Sequence, residues 1–234
     1  MNIALVVAGG TGNRMGQDIP KQFLCVQDKP IIIYTLEALQ HHLEIDAIQV
    51  VCIDGWQKML AGYAKQFNIT KLREIITGGA TRYASISAGM HSLWNIAGED
   101  VVIVHDAVRP LVTAKALSDT IEVCKRYGNS MTVIPCADTM YSRTDANSTS
   151  ENVDRSQLVR GQTPEAVTGR VMREIYAEAE KKGIQLDSIS ALQVALGRAI
   201  YFAQGSSRNI KLTTTEDIEL FKALLQTKKD VWVK

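Results

Sequence analysis

Two cations follow closely behind a glycine-rich turn near the start of the chain. Residues 6–15 read VVAGGTGNRM, and PKQF follows at 20–23. Gly9, Gly10 and Gly12 leave the backbone N–H groups around them open to an anion, with no side chain in the way. Arg14 can fork two phosphate oxygens, and Lys21 adds a point charge. A triphosphate losing pyrophosphate gathers negative charge at its α-phosphorus and on the leaving group, and positioned cations suit such a transition state. The alternative is a pair of solvated loop cations, and their closeness to one glycine turn weighs against it.

Two widespread phosphate loops do not fit this stretch. A P-loop needs G-x-x-x-x-G-K-[ST], and here Gly16 is followed by Gln17 and Asp18. The dinucleotide fingerprint finds Gly10 and Gly12 correctly spaced, but Met15 stands where its third glycine belongs. A second constellation is VHDAVRP at 104–110. Asp106, ending an apolar run, is placed either to hold Mg²⁺ through one carboxylate or to cap a local turn. His105 reads as a packed, hydrogen-bonded ring, because no second His or Cys stands at metal spacing. Arg109 supplies one more cation, suited to a phosphate on a second substrate.

The elements that must position these groups alternate along the chain. Strand signals lie at 2–8, 46–53, 72–77, 101–105 and 130–135, with helical periodicity at about 30–42, 56–67, 81–96 and 114–127. Pro30 suits a first helical turn. This alternation implies right-handed crossovers, a mostly parallel sheet with helices on both faces, and ligands at the carboxyl ends of the strands. The rhythm breaks near 136, where 137–143 and 153–160 read as extended arms around the polar tip TDANSTSEN. This is either a projecting hairpin or an excursion loop. Helices are expected again at 167–182, 188–196 and 215–227, and strands near 199–204 and 208–213. TTTE at 213–216 reads as a capping box, with Thr213 as cap and Glu216 reaching back. The tail TKKDVWVK reads as a loosely packed end.

The chain has 234 residues, 46% of them hydrophobic, which favours one domain over residues 1–234. Interspersed charges summing to +1 argue against nucleic-acid binding, and no apolar run is long enough to cross a membrane. No signal peptide is visible. Cys25, Cys52, Cys124 and Cys136 lack metal or redox spacing and read as buried free thiols in a reducing cytoplasm.

Taken in order, AGGTGNRMG…PKQF, GG…R…S, HDAVRP, DTM, VDR…TP and NIKLTT resemble the CTP-dependent polyol-phosphate cytidylyltransferases. The match runs from residue 2 to about 225. The resemblance implies a Rossmann-like nucleotide-diphospho-sugar transferase fold with a projecting β-arm at about 137–160 that joins a homodimer. It implies transfer of CMP from CTP to a polyol phosphate. The first expected acceptor is 2-C-methyl-D-erythritol 4-phosphate of isoprenoid synthesis, and the alternative is ribitol 5-phosphate for wall or capsule polymers. Ala8, Gly9, Gly10, Thr11 and Gly12 would hold the triphosphate, and Gly78, Gly79, Arg82 and Ser85 the cytosine and ribose. Arg14, Lys21 and Lys211 would be catalytic, and Asp106 would bind Mg²⁺. Arg109, Thr139, Arg155, Thr163 and Lys211 would surround the acceptor phosphate, with Thr139 and Arg155 serving the partner subunit's site.

The sequence departs from the family pattern in three places. Arg208 precedes NIK where methylerythritol enzymes carry a metal-binding acid, Glu165 replaces a usual glutamine, and Ala80 replaces a usual acid. The ribitol enzymes also lack the acid before NIK, whereas the spacing of RMGQDIPKQ and the run VDRSQL sit closer to the methylerythritol group. Two rival readings are another nucleotidyltransferase using UTP or GTP, and a catalytically weak scaffold that keeps the fold.

Overall fold

The computed structural model describes residues 1–10 and 19–227. Thr11, Gly12, Arg14 and, of the tail TKKDVWVK, residues 228–234 lie outside the described residues. In chain order the strands are β1 (Asn2–Ala8), the short pair β2 (Cys25–Val26) and β3 (Lys29–Pro30), β4 (Ala47–Cys52), β5 (Leu72–Thr77) and β6 (Val101–Asp106). They continue with β7 (Asn129–Pro135), β8 (Met140–Ser142), β9 (Glu151–Val153), β10 (Val159–Thr168) and β11 (Phe202–Gln204). The helices are α1 (Ile31–Gln40), α2 (Gln57–Gln66), α3 (Arg82–Ser92), α4 (Ala114–Tyr127), α5 (Gly169–Lys182), α6 (Ile189–Ala195) and α7 (Thr215–Gln226).

One seven-stranded sheet runs β11-β7-β10-β6-β1-β4-β5. Its neighbours pair in parallel except β10, which is antiparallel to both β6 and β7. β1 is buried throughout, and its side chains alternate between two apolar layers. Ala4, Val6 and Ala8 join α1, α2 and α4 on one face, while Leu5 and Val7 join α3, α5 and α6 on the other. Each fully buried aliphatic side chain contributes about 1.5–3 kcal/mol, so a strand covered on both faces is strongly specified. Gly89 brings α3 down onto the sheet, since a Cβ there would stand 2.8 Å from the side chains of Leu5 and Val51. That close seating places the N-terminal turn of α3 beside the carboxyl ends of β1 and β4.

Several expectations are corrected. The strongest strand missed is β10, whose Gly161 and Pro164 disguise it. The β7–β10 register shifts between Gln162 and Glu165, so Pro164 falls in the gap of the ladder and withholds no needed donor. No strand forms at 208–213, where the backbone hydrogen bonds go to local turns and to Val108. The hairpin is real but shorter than its expected arms, pairing Met140–Ser142 with Glu151–Val153. α3 stops at Ser92 rather than 96. Pro30 is the residue before α1, not a member of its first turn. The last helix is capped by Thr214 with Asp217, one residue later than expected, because the shorter aspartate reaches the Thr213 and Thr214 amides at 2.7 and 2.8 Å. All four cysteines are free, but only Cys52 and Cys124 are buried; Cys25 is exposed and Cys136 half-buried.

Candidate active site

The cleft opens where the order of the sheet reverses, at the carboxyl ends of β1 and β6, a usual ligand position in open α/β sheets. Ala8 ends β1, and Gly9 and Gly10 lead away from it. Gln22, only 2% exposed, donates from Nε2 to the carbonyls of Ala8 (2.7 Å) and Gly10 (3.0 Å) and so fixes the start of the turn. Sequence reasoning passed over Gln22, although it lies inside the PKQF segment. Gly9 leaves room for Ser85, since a Cβ there would stand 2.6 Å from Ser85 Oγ and force that hydroxyl to turn away. Ser85 in turn accepts from the Gly79 amide at 3.1 Å and donates to the Thr81 carbonyl at 3.0 Å. A Cβ on Gly79 would stand 2.4 Å from that of Ala84, so this glycine pair lets the loop fold flat against α3.

Asp106 is the electrostatic centre. Arg82 Nη1 lies 2.7 Å from its Oδ1, and Lys211 Nζ and Arg109 Nε lie 3.0 and 3.3 Å from its Oδ2. Burial alone would raise its pKa, but the charges of Arg82, Lys211 and Arg109 outweigh that and hold the carboxyl well below the usual range. The backbone is fixed as firmly: the Asp106 amide donates to Thr163 Oγ1 at 3.1 Å and the Ala107 amide to the Val7 carbonyl at 3.1 Å. Arg109 is anchored by donating from Nη1 to the Asn209 carbonyl at 2.7 Å. Its own carbonyl sits 3.2 Å from His105 Nε2. His105 is fully buried, which pushes its pKa down to about 4 and keeps the ring neutral. It is the packed, hydrogen-bonded ring expected. Lys211 is carried by the turn before α7, where Leu212 is buried against Val108 and Phe221 and its amide donates to the Val108 carbonyl at 2.9 Å.

Two cavities meet at Lys211. The first, about 250 Å³, is lined by Gly9, Gly10, Lys21, Arg82, Asp106 and Lys211. Ala80 and Ser85 also border it. The second, also about 250 Å³, includes Arg109, Arg160, Gln162, Asn209 and Lys211. Arg160 was not expected from sequence, because 153–160 reads as an arm of the projecting hairpin whereas Val159–Thr168 is a strand of the central sheet. One compartment suits a polyphosphate against a glycine turn, and the other a second anion bearing hydroxyls. Thr139 and Arg155 line neither. They share a separate groove on the β8–β9 arm, where Arg155 donates to the Ala137 carbonyl. Thr163 faces the Asp106 amide, and Arg208 is exposed. A larger cavity of about 800 Å³ lies at the opposite end of β1, near Asn2 and Asp46, among Glu99, Lys125, Arg126 and Arg170. Its mixed charges and its place at the wrong end of the strands set it apart from the cleft.

Among the described residues, no three His, Cys, Asp or Glu side chains gather into a metal cluster. Mg²⁺ does not need one: in phosphate chemistry it is commonly held by one or two carboxylates, with substrate phosphates and water completing the shell. Asp106 is ionised and borders a phosphate-sized cleft, so it fits that mode once phosphate draws off Arg82, Lys211 and Arg109, which occupy its two oxygens in this structure.

The family model described as "IspD: 2-C-methyl-D-erythritol 4-phosphate cytidylyltransferase" matches residues 2–227. A ribitol-5-phosphate cytidylyltransferase of Lacticaseibacillus paracasei is 43% identical, covering 98% of this chain and 100% of that protein. A 2-C-methyl-D-erythritol 4-phosphate cytidylyltransferase of Alkaliphilus metalliredigens is 31% identical over 97% of this chain and 93% of its own length. Among solved structures, a 4-diphosphocytidyl-2C-methyl-D-erythritol synthase superposes with a TM-score of 0.79 at 26% identity, covering 96% of this chain and 99% of that one.

Proposed function

The chain belongs to the 2-C-methyl-D-erythritol 4-phosphate cytidylyltransferase family, and from that premise we propose that it transfers CMP from CTP to ribitol 5-phosphate, releasing pyrophosphate. The observation that carries the reaction class is Lys211, which pairs with Asp106 while bordering both anion compartments. The acceptor follows from the relatives, since a ribitol-phosphate enzyme shares 43% of its residues with this chain and a methylerythritol-phosphate enzyme 31%. Methylerythritol phosphate is the second reading, favoured by the family model and by the loop spacing around PKQ.

The chemistry needs no covalent intermediate. An anionic oxygen of the acceptor phosphate attacks the α-phosphorus of CTP; that P–O bond forms as the bond to the β-phosphate oxygen breaks, and the electron pair leaves with pyrophosphate. The acceptor oxygen is already ionised near neutral pH, so a strong general base is unnecessary. The difficulty is bringing two anions together. Lys21, Lys211 and Arg14 answer it by offsetting their repulsion and meeting the charge that develops on the leaving group. Gly78, Gly79, Arg82 and Ser85 would hold the nucleoside, and Arg109, Arg160 and Gln162 the acceptor. Asp106 would hold Mg²⁺, which when bound supplies Lewis-acid neutralisation of the phosphates.

One continuous sheet supports a single nucleotidyltransferase domain. The exposed Met140, Tyr141 and Val159 on and beside the arm support a homodimer in which Thr139 and Arg155 serve the partner subunit. Among the described residues no helix is long and apolar enough to cross a membrane, and the free thiols support a cytoplasmic setting. The test is pyrophosphate release from CTP with Mg²⁺ and a panel of acceptors. Ribitol 5-phosphate should give the highest kcat/KM; a methylerythritol 4-phosphate optimum would move the enzyme to the second reading, and release with UTP or GTP alone would overturn both.

A further inference from the structure

Glu165 sits in β10 behind the cleft, 6% exposed, and borders neither anion compartment. Its Oε2 accepts from Ser188 Oγ at 3.0 Å and from the Ser190 amide at 2.9 Å. Ser188 is the residue that caps α6, and the Ser190 amide is one of those the first turn of a helix leaves without an internal partner. Among the described residues these two bonds are the hydrogen bonds that tie Ser188 and Ser190 to the sheet. One residue earlier, the Asp187 carbonyl accepts from Arg82 Nε at 2.8 Å, while Arg82 Nη1 reaches Asp106. The guanidinium is therefore held from two sides. Asp106 holds one edge, and the 187–190 turn, itself held by Glu165, holds the other. Burial raises the Glu165 pKa, and the Ser190 and Ser188 donors, together with the charge of Arg82, work against that rise.

We propose that Glu165 is a positioning residue for the nucleotide compartment. Through Ser188 and Ser190 it fixes the 187–190 turn, and through the Asp187 carbonyl it sets the direction from which Arg82 addresses Asp106 and the incoming nucleoside. This rests on the reading of that compartment as the CTP site. With the tie removed, Arg82 keeps its ion pair but loses its Nε anchor. It can then rotate fully onto Asp106 and away from the nucleotide. The loss falls on CTP binding before it falls on the chemical step, because Lys21 and Lys211 are untouched.

The experiment is a cycle of Glu165→Ala, Glu165→Gln, Arg82→Ala and the Glu165→Ala/Arg82→Ala pair, read as KM for CTP and kcat by pyrophosphate release. The expected result for Glu165→Ala is a KM for CTP about tenfold higher with kcat within about twofold of wild type. Gln keeps one side-chain oxygen, which can accept from both Ser188 Oγ and the Ser190 amide as Oε2 of Glu165 does, so it should restore the wild-type KM. The double variant should bind CTP no worse than Arg82→Ala alone, since the two changes remove one chain of contacts. Glu165→Met fills the same space without accepting a bond, and it keeps the comparison open where truncation unfolds the chain. A Glu165→Ala or Glu165→Met enzyme with unchanged KM and a lower melting point, or full additivity with Arg82→Ala, would overturn the proposal. A wild-type protein that neither shifts its melting point with CTP nor releases pyrophosphate would instead overturn the nucleotide reading beneath it.

Discussion

Arg82 at the start of α3 and Asp106 at the end of β6 meet through Nη1 and Oδ1 at 2.7 Å, across the mouth of the cleft. That contact closes a ring of charge in which a single carboxylate faces Arg82, Arg109 and Lys211. Asp106→Asn leaves those cations facing one another without a counter-charge. Turnover should fall by about 10²–10³-fold, the scale on which preorganised electrostatic groups act. The melting temperature should also drop, because removing one partner of a buried ion cluster strands the others. Near-normal pyrophosphate release by Asp106→Asn would remove Asp106 from the mechanism.

Lys21 borders the first compartment only, whereas Lys211 borders both. Lys21→Ala should lose about 10²-fold in kcat while CTP still raises the melting point. Lys211→Met should lower kcat and also raise KM for the acceptor. Steady-state kinetics with each substrate varied separates the two patterns, and identical profiles would contradict the shared-lysine geometry.

Gly79 permits the close approach of its loop to α3. Gly79→Ala places a Cβ 2.4 Å from that of Ala84, a contact with backbone-anchored atoms on both sides, so the loop itself must move. The expected outcome is a KM for CTP raised by about tenfold or more with the fold intact by circular dichroism. Wild-type CTP affinity in this variant would show that the loop does not touch the nucleotide.

Thr139 and Arg155 lie together on the arm, apart from the cleft. If each arm completes the neighbouring site, Arg155→Ala and Lys21→Ala homodimers should both be nearly inactive. Mixing and re-annealing them should recover activity, because a hybrid carries one site with both residues intact. Failure to recover, from a solution shown to exchange subunits by sedimentation, would place Arg155 in its own chain's site.

The thiolate is the form that alkylates, so a raised thiol pKa slows labelling. Burial pushes Cys52 up to about 11 and Cys124 up to about 12, the latter despite the charge of Lys125. Near pH 8 these two carry on the order of one part in a thousand or less of thiolate. Iodoacetamide should modify the exposed Cys25 first and the half-buried Cys136 next, and leave Cys52 and Cys124 unlabelled until the pH approaches their pKa values or the chain unfolds. Mass spectrometry of the native protein labelled at pH 8 checks this order.

β1, β4 and β6 were legible because their β-branched runs bury both faces and need no alternation to be recognised. The glycine turn, Asp106 and Lys21 were legible because each residue type carries its chemistry wherever it is placed, whereas Lys211 was reached only through the family resemblance of NIKLTT. β10 was not legible, because Pro164 argues against a central strand by local rules and the register shift beside β7 that accommodates it is a tertiary feature. The cap at Thr214 turned on whether a carboxylate one atom shorter than glutamate could reach two amides, a distance rather than a pattern. By itself, then, the sequence determined the α/β alternation and the inventory of cations and glycines, since hydrophobic period and side-chain chemistry are local properties. Tertiary structure alone decided that Arg82, Arg109 and Lys211, from three separate segments, converge on one carboxylate, and that Gln22 and Glu165 hold the turns around it. Those distances exist only once the sheet and the helices on its two faces have closed around a shared core, and no spacing along the chain encodes them.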